Sequence, residues 1–218
     1  MFDPELAWES LPFLLSGLPY TLGIALVSTA LGVIFGLVIA LMRLSSSLVL
    51  ESLARIYVSF MRGTPALVFL FLIYFGLPFA GIQLKALTSA IICFSLNSAA
   101  YISEIFRSSL DSVDKGQWEA AKALGLKYSV TMKSVILPQA IRIAIPPLSN
   151  VLLDVIKGTS LAAMITVNEV FQNARIVGGR EHDYMTMYIL VAAIYWAVCE
   201  LFGFLQRYLE TISSKYVV

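Results

Sequence analysis

Long uncharged runs separated by short charged stretches dominate the chain. Thirty-three consecutive uncharged residues lie between Glu9 and Arg43, and a helix needs about 20 to cross a hydrocarbon core. The pattern predicts five spanning helices, at about residues 15–44, 56–78, 86–107, 143–167 and 184–207. We therefore expect an all-α integral membrane protein in which residues 1–218 form a single transmembrane domain.

Composition strengthens this interpretation. Hydrophobic residues make up 59% of the chain and charged residues 13%, whereas soluble domains carry about 25% charged residues. A net charge of +1 gives no indication of a nucleic-acid partner. Cys93 and Cys199 lie in apolar runs, which favours small buried hydrophobes over a disulfide framework. Because acidic residues stand near the start, at Asp3, Glu5 and Glu9, we expect no cleavable signal peptide.

Positive charge is unevenly distributed between the two sides of the membrane. With five spans the termini lie on opposite sides, and eleven of the 15 lysines and arginines then fall on the side of the C-terminus. Lys85, Arg175 and Arg180 fall on the other side, and Lys157 lies within a span. Because the excess of positive charge lies in the cytoplasm, we predict an external N-terminus and a cytosolic C-terminus. An odd number of spans excludes two equal inverted halves, so we expect a second copy or a paralogue to complete a translocation path.

The loop between the third and fourth spans contains a short polar helix, predicted at about residues 114–125. Asp111 or Asp114 can cap its start, and Gly125 stands where a left-handed stop is common. Along it Trp118, Ala121 and Leu124 recur at helical spacing. Pro138 is expected to break the next helix, and the Pro146-Pro147 pair to kink the entry of the fourth span. An amphipathic helix lying on the membrane surface is the alternative interpretation.

Several segments of the chain resemble the permeases of binding-protein-dependent ABC importers. Glu119-Ala120-Ala121, followed by three residues and Gly125, is similar to their coupling-loop motif. Further segments resemble the amino-acid branch of that family: Leu18-Pro19-Tyr20-Thr21-Leu22, Arg62-Gly63-Thr64-Pro65, Tyr74-Phe75-Gly76-Leu77-Pro78, Leu137-Pro138-Gln139-Ala140 with Arg142, Pro146 and Asn150, and Lys157 with Thr159-Ser160-Leu161. The resemblance extends over about residues 12–210. It implies a type I ABC importer fold in the plasma (inner) membrane of a prokaryote.

The resemblance also implies partners. A cytosolic ATPase, present in two copies, would contact the coupling helix through a set of residues comprising Trp118, Glu119, Ala120, Ala121, Leu124 and Gly125. A second permease copy or a paralogue, an extracytoplasmic amino-acid-binding protein and membrane lipid complete the expected set. The chain contains no Gly-x-x-x-x-Gly-Lys-Ser/Thr phosphate loop. We therefore expect ATP and magnesium to bind the partner ATPase, and this chain to be no enzyme by itself, with neither a catalytic nor a metal site.

Polar residues within the spans predict a substrate pocket. Asn150, Asp154 and Lys157 share one face of the fourth span, as do three residues of the third span, Asn97, Tyr101 and Glu104. Ionisable groups inside a membrane are costly and are functional candidates by default. Two such faces on consecutive spans indicate a common wet cavity between them.

An amino acid bound there would use both kinds of charge. Lys157, with the hydroxyl groups of Thr159 and Ser160, would hold its carboxylate, and Asp154 or Glu104 would hold its ammonium group or a cationic side chain. Two alternatives remain open at this point. Asp154 and Lys157 can form an internal ion pair that holds helices together, and Glu104 can form a local salt bridge with Arg107.

Residues at the start of the second span are further candidates. Arg62-Gly63-Thr64-Pro65 would form a kinked element near the substrate path, with Thr64 or Leu67 lining it, or else the segment is a helix-entry turn with a snorkelling Arg62. On the external side a lone His182 among mixed charges is typical of a solvated surface rather than a metal site. That charged loop is a candidate docking surface for the binding protein.

One departure from the resembled family bears on the substrate. Family members usually carry an uncharged residue where this chain has Asp154, and a carboxylate there favours a cationic side chain. We therefore predict import of polar, basic amino acids such as arginine, lysine or histidine by alternating access, driven by the separate ATPase. The alternatives are a non-transporting membrane scaffold or regulatory subunit that binds a cytosolic partner, and an ATP-independent secondary carrier.

Overall fold

The structure is a computed structural model that describes residues 2–214, with side-chain surroundings described up to residue 207. Helices and turns without any strand make up this part of the chain. The α-helices are α1 Pro4–Leu15, α2 Leu18–Arg43, α3 Leu48–Gly63, α4 Ala66–Phe71, α5 Ala86–Asp111, α6 Lys115–Ala123, α7 Tyr128–Thr131, α8 Leu137–Gly158, α9 Val170–Glu181 and α10 Tyr184–Ser214. Lys215, one of the cations counted on the side of the C-terminus, lies outside the described residues.

Four helical stretches in residues 2–214 are long and apolar enough to cross a membrane: Leu18–Arg43, Ala86–Asp111, Tyr128–Ile165 and Tyr184–Arg207. A fifth candidate span is a bent pair, Leu48–Gly63 and Ala66–Ala80, whose halves meet at 105°. The chain is thus a multi-pass membrane protein. The predicted all-α fold class is confirmed, and four of the predicted spans correspond to single helical stretches.

The second span differs from its prediction. The sequence indicated one helix at about residues 56–78, but the structure begins it at Leu48 and breaks it at Thr64. Thr64 is extended, with φ −101° and ψ 131°, because the ring of Pro65 disfavours the helical region for the residue before it. The polypeptide therefore turns sharply between α3 and α4, a direction change that a hydrophobic run does not report.

The first span also begins later than predicted. Residues before Gly17 form a separate helix, α1, whose start is capped by Asp3. A β-carbon at Gly17 would lie 2.5 Å from the carbonyl carbon of Glu169 and 2.6 Å from the amide nitrogen of Val170. Only glycine permits this close approach of two backbones. The beginning of α2 is thereby seated against the start of α9.

Small residues bring α2 and α5 together at the centre of the bundle. Gly32 faces Ser98, and Gly36 faces Ile102 and the carbonyl oxygen of Ala99. Small residues at a contact between membrane helices let the backbones approach closely. From this central pair the bundle extends to two ends. The α9 end comprises α1, α9 and the adjoining helix termini, and the α6 end comprises α6, α7 and the adjoining helix termini.

Pro138 does not break the helix that it was expected to break. A short π-helical segment, Met132–Ile136, precedes α8, and Pro138 stands in the first turn of that helix. Proline is tolerated there because the first amide groups of a helix have no partner within it. The fourth span thus begins earlier than predicted, near Leu137, and continues after Gly158 as a 3-10 helix, Thr159–Ile165.

Candidate functional site

A cavity of about 240 Å³ lies between α4, α5 and α8. It is lined by Ala66, Phe94, Asn97, Ser98, Tyr101, Val151, Asp154, Val155, Gly158 and Leu161. The structure therefore brings three of the candidate residues, Asn97, Tyr101 and Asp154, to one cavity between the third and fourth spans. Its walls combine an apolar body with a few polar groups, which is the usual character of a site for a small molecule.

Asn97 connects the cavity to the break between α3 and α4. Its side-chain Nδ2 donates a hydrogen bond to the carbonyl oxygen of Met61 at 3.1 Å. In an unbroken helix that carbonyl would accept from the residue four positions on, which here is Pro65, and proline has no N–H to donate. Asn97 thus satisfies a backbone group that the proline leaves free, while its side chain lines the cavity.

Tyr101 and Glu104 continue the same face of α5 towards the α6 end. The guanidinium of Arg62 lies 5.5 Å from the centre of the Tyr101 ring, within the range of a cation–π contact. Glu104 forms ion pairs with Arg43 of α2 and, at 3.2 Å, with Arg107. Glu104 is therefore engaged by two arginines and does not line the cavity, so the local salt bridge envisaged for it is present.

Asp154 and Lys157 form an ion pair along α8, with 2.8 Å between Oδ1 and Nζ. Because both residues belong to one helix, the pair does not join two helices as the alternative interpretation supposed. The side chains are 73% and 58% exposed on this chain. Asp154 lines the cavity, whereas Lys157 is not among the lining residues.

The remaining candidates, Asn150 of α8 and the two residues Thr159 and Ser160 that follow this helix, are not among the residues that line the cavity. Thr159 is fully buried, and its hydroxyl donates to the carbonyl of Ile156 at 2.7 Å. Ser160 donates to the carbonyl of Lys157 at 2.8 Å. Asn150 is exposed and accepts a hydrogen bond from Gln206 of α10 at 3.4 Å. The expected cluster of hydroxyl groups around a substrate carboxylate is thus absent from this structure, because the helical backbone already uses both hydroxyls.

Neither Thr64 nor Leu67 is among the residues that line the cavity. Ala66, which lies between them, reaches it instead. The sequence analysis also missed Phe94 and Ser98 on α5. Phe94 stands three residues before Asn97 and Ser98 three residues before Tyr101, so the same periodicity that grouped Asn97 with Tyr101 could have found them.

The loop helix forms as predicted, over Lys115–Ala123. Asp114 rather than Asp111 caps it, accepting the amide N–H of Gly116 at 2.7 Å. Gly125 follows with φ +68°. The amide groups of Leu126 and Gly125 bond to the carbonyls of Ala121 and Lys122, both at 3.0 Å, which is the glycine stop called the Schellman motif.

The predicted contact residues of α6 point in two directions. Ala121 is 3% exposed, and Trp118 packs in a small apolar cluster with Val113, Ile136 and neighbouring residues, so these two face their own chain. Glu119, Ala120 and Gly125 are exposed, and Leu124 is 78% exposed. The structure therefore corrects the assignment of Ala121 as a partner contact, since its side chain is buried against its own chain. Trp118 is half-buried and anchors the helix, which presents the exposed group outward.

The sequence and the fold of this chain both match those of known membrane transport proteins. Residues 32–211 match the family of binding-protein-dependent transport system inner membrane components, and the chain belongs to this family. A solved structure described as an amino acid ABC transporter with histidines matches with a TM-score of 0.93 and 35% identity, covering 97% of this chain and 99% of that one. The chain is thus an amino-acid ABC importer permease with the type I fold predicted from its sequence.

Two relatives from Bacillus subtilis (strain 168) place the chain among amino-acid permeases. YckA, described as a probable amino-acid ABC transporter permease, is 57% identical over 217 residues, covering 100% of this chain and 96% of the relative. TcyB, an L-cystine transport system permease, is 44% identical over 207 residues, covering 94% and 88%. The chain is accordingly a permease subunit whose ATPase is a separate polypeptide, and not an enzyme by itself.

Proposed function

We propose that this permease imports basic amino acids through the cavity between α4, α5 and α8, and that Asp154 receives the cationic side chain. The carrying observation is that Asp154 lines the cavity with its carboxylate largely exposed. Its partner Lys157 belongs to the same helix, one turn away. Because the pair lies within one helix, a substrate can replace one of its contacts without breaking a contact between helices.

The chemistry of arginine matches this arrangement. A guanidinium can form two parallel hydrogen bonds to one carboxylate, and its displacement of the Lys157 ammonium would free that group for the substrate carboxylate. Asn97 and Tyr101 present further polar groups to the same space. The histidines named with the related structure favour a basic substrate, whereas the relative described as an L-cystine permease indicates that this family also carries an amino acid with no net positive charge.

A second copy or a paralogue is part of the proposal. Two charged side chains on a spanning helix are expensive against lipid, and both are exposed when the chain stands alone. Covering by a second permease would remove them from lipid and close the open side of the cavity. We place two ATPase subunits, with their ATP and magnesium, in the cytosol at the α6 end. The N-terminus and α9 lie outside, where the binding protein docks, and the C-terminus is cytosolic.

The test is binding of labelled arginine to the purified permease–ATPase complex without binding protein, with glutamine as competitor. Asp154→Asn should weaken arginine binding by about tenfold or more, since a charged hydrogen bond is worth about 1.5–3 kcal/mol, and should change glutamine binding less. Glu200→Gln is the matched control because Glu200 is also an exposed carboxylate on a spanning helix, paired with Arg207 at 3.6 Å, but does not line the cavity. Equal losses for arginine and glutamine, or stronger binding of cystine than of arginine, would overturn the basic-substrate proposal.

A further inference from the structure

One wall of the cavity is a short 3-10 helix, Thr159–Ile165, that follows α8 directly. Leu161 of this segment and Gly158 just before it both line the cavity. A 3-10 helix has poorer hydrogen-bond geometry than an α-helix and is used in short pieces. The position of this wall therefore depends on what holds its two ends.

Glu169 is a buried carboxylate with three hydrogen bonds, at the start of α9. It is 0% exposed. Its oxygens accept from the amide groups of Phe171 at 2.9 Å and Gln172 at 2.6 Å, and from the Tyr195 hydroxyl at 2.8 Å. Burial raises the pKa of Glu169, and these hydrogen bonds oppose that rise. A buried polar group is tolerated only when it is bonded in this way, so Glu169 is fixed in position.

Tyr195 connects Glu169 to the near end of the wall. Its hydroxyl oxygen lies 3.4 Å from the Thr159 hydroxyl oxygen. Because the Tyr195 proton is donated to Glu169 and the Thr159 proton to the carbonyl of Ile156, this is a polar contact between two oxygens and not a full hydrogen bond. Thr159 is the first residue of the 3-10 helix and is fully buried. A polar connection therefore runs from α9, through α10, to the point where α8 passes into the cavity wall.

The far end of the wall is held by a strained turn. Thr166 has φ +63°, a left-handed conformation that is an outlier for a β-branched residue. Such strain persists only where the surroundings over-determine it. The amide of Val167 bonds back to the carbonyl of Ala162 at 3.2 Å, and Glu169 follows within three residues. The near end of the segment thus contacts Tyr195, and the turn after its far end is bonded to the Glu169 backbone, whose amide donates to the carbonyl of Val167 at 2.8 Å.

We propose that Glu169 and Tyr195 are positioning residues that clamp the 3-10 helix Thr159–Ile165 in place and thereby set the affinity of the cavity for its substrate. Neither side chain lines the cavity, so both act through the wall. The substrate part of this inference rests on the proposed function. The part that concerns the position of Leu161 is independent of the proposed function, because it does not depend on which substrate is bound.

The test compares Tyr195→Phe and Glu169→Ala with a matched tyrosine at another helix contact. Tyr57 of α3 donates from its hydroxyl to the carbonyl of Leu96 at 2.6 Å, so Tyr57→Phe removes an equivalent buried hydrogen bond away from the wall. Each change is made in the full permease–ATPase complex carrying Leu161→Cys, with Cys93 and Cys199 replaced by alanine. The measurements are the maleimide labelling rate of the new thiol and the KM and maximal rate of arginine uptake in vesicles with the binding protein.

We expect Tyr195→Phe to raise the labelling rate and the arginine KM severalfold with little change in maximal rate, since a neutral hydrogen bond is worth about 1 kcal/mol, or roughly fivefold. Glu169→Ala should do more, and Glu169→Gln, which keeps an acceptor oxygen, less. Tyr57→Phe should leave both readouts at the native value.

Because Tyr195→Phe keeps the ring and its packing, it keeps the test decisive even where Glu169→Ala does not fold. A labelling rate in Tyr195→Phe equal to that in Tyr57→Phe would overturn the clamp, whichever amino acid proves to be transported. Failure of native complexes to bind arginine, with labelling changed as expected, would instead count against the substrate proposal alone.

Discussion

The two ends of the bundle are held together in different ways. At the α9 end, hydrogen bonds join parts of the chain that are far apart in sequence. The amide of Asp3 donates to Thr186 at 2.9 Å, and the side chain of Asn173 donates to the carbonyl of Phe13 at 2.9 Å. Together with the hydrogen bonds of Glu169, these bonds join α1, α9 and α10 to one another.

The α6 end is specified mostly by local features. Asp114 and Gly125 cap the two ends of α6, Trp118 stacks on Tyr128 with ring centres 6.0 Å apart, and Gln139 donates to Gln117 at 3.3 Å. A helix whose ends are capped by its own flanking residues can shift as a unit without losing its fold. The difference suits an importer in which one end stays rigid and the other follows a partner that changes shape.

The largest effect on this difference between the two ends is expected from a substitution of Gly17. Gly17→Ala should destabilise the α9 end by about 3 kcal/mol, the upper part of the range for overpacking, because the new β-carbon would meet backbone atoms of Glu169 and Val170 at 2.5 and 2.6 Å. Thermal unfolding of the purified protein measures the effect. Gly23→Ala in the same helix is the control, since a β-carbon there has no neighbour within 4 Å. Equal melting temperatures for the two variants would show that the backbone at the α9 end can move to accommodate a β-carbon at Gly17, contrary to this prediction.

A smaller and more local effect is expected at Gly125. Gly125→Ala places a β-carbon on a residue with φ +68°, which costs roughly 1–2 kcal/mol. Because α6 folds locally, the loss should appear as weaker association with the ATPase, by about five- to thirtyfold, with the melting temperature of the transmembrane bundle nearly unchanged. Titration of the detergent-solubilised permease with its ATPase provides the measurement. Gly125→Asn should bind the ATPase almost normally, because asparagine tolerates this conformation. Native affinity in the Gly125→Ala variant would contradict the claim that the glycine stop is needed to present α6 to the ATPase.

The smallest effect concerns Asp183, which precedes α10. The hydroxyl and the amide of Thr186 both donate to its carboxylate, at 2.5 and 3.1 Å, and these bonds lower the pKa of Asp183. A carboxyl whose pKa is depressed on folding contributes stability above its unfolded value of about 3.9 and loses it as the pH falls through the folded pKa. The melting temperature should therefore drop slightly as the pH falls from about 5 to about 3, the range that surrounds the ordinary carboxyl pKa. Asp183→Asn should flatten that part of the profile, and an unchanged slope would exclude this carboxyl as its source.

What the sequence predicted well depends on short-range rules. Capping by Asp114 and the glycine stop at Gly125 follow from neighbours along the chain, and helical spacing correctly placed Asn97 and Tyr101 on one face. Spacing shows which residues share a face but not which element that face meets. The ion pair of Glu104 with Arg43 on another helix therefore could not be read from the chain.

The same limit explains Glu169. In the sequence it is one charge in a polar loop that is predicted to be external, and such a residue is ordinarily solvated. Its burial results from the glycine contact with α2 and from Tyr195, which arrives from a later helix. A kinked element was among the expectations for the segment after α3, but the 105° size of its bend could not be predicted. Proline marks where a helix stops, whereas the direction of the next helix is set by packing against α5.

The hydrogen bond from Asn97 to Met61 has a consequence for changing the substrate by mutation. Asn97 holds the backbone that Pro65 leaves unpaired, so replacing it to reshape the cavity would also release the bend between α3 and α4. Asp154 and Val151 on the opposite wall carry no comparable bond to another helix in the described part of the chain. In the proposed substrate site, we therefore expect single substitutions on the α8 side to change selectivity alone, whereas substitutions of Asn97 on the α5 side would also alter the bend between α3 and α4.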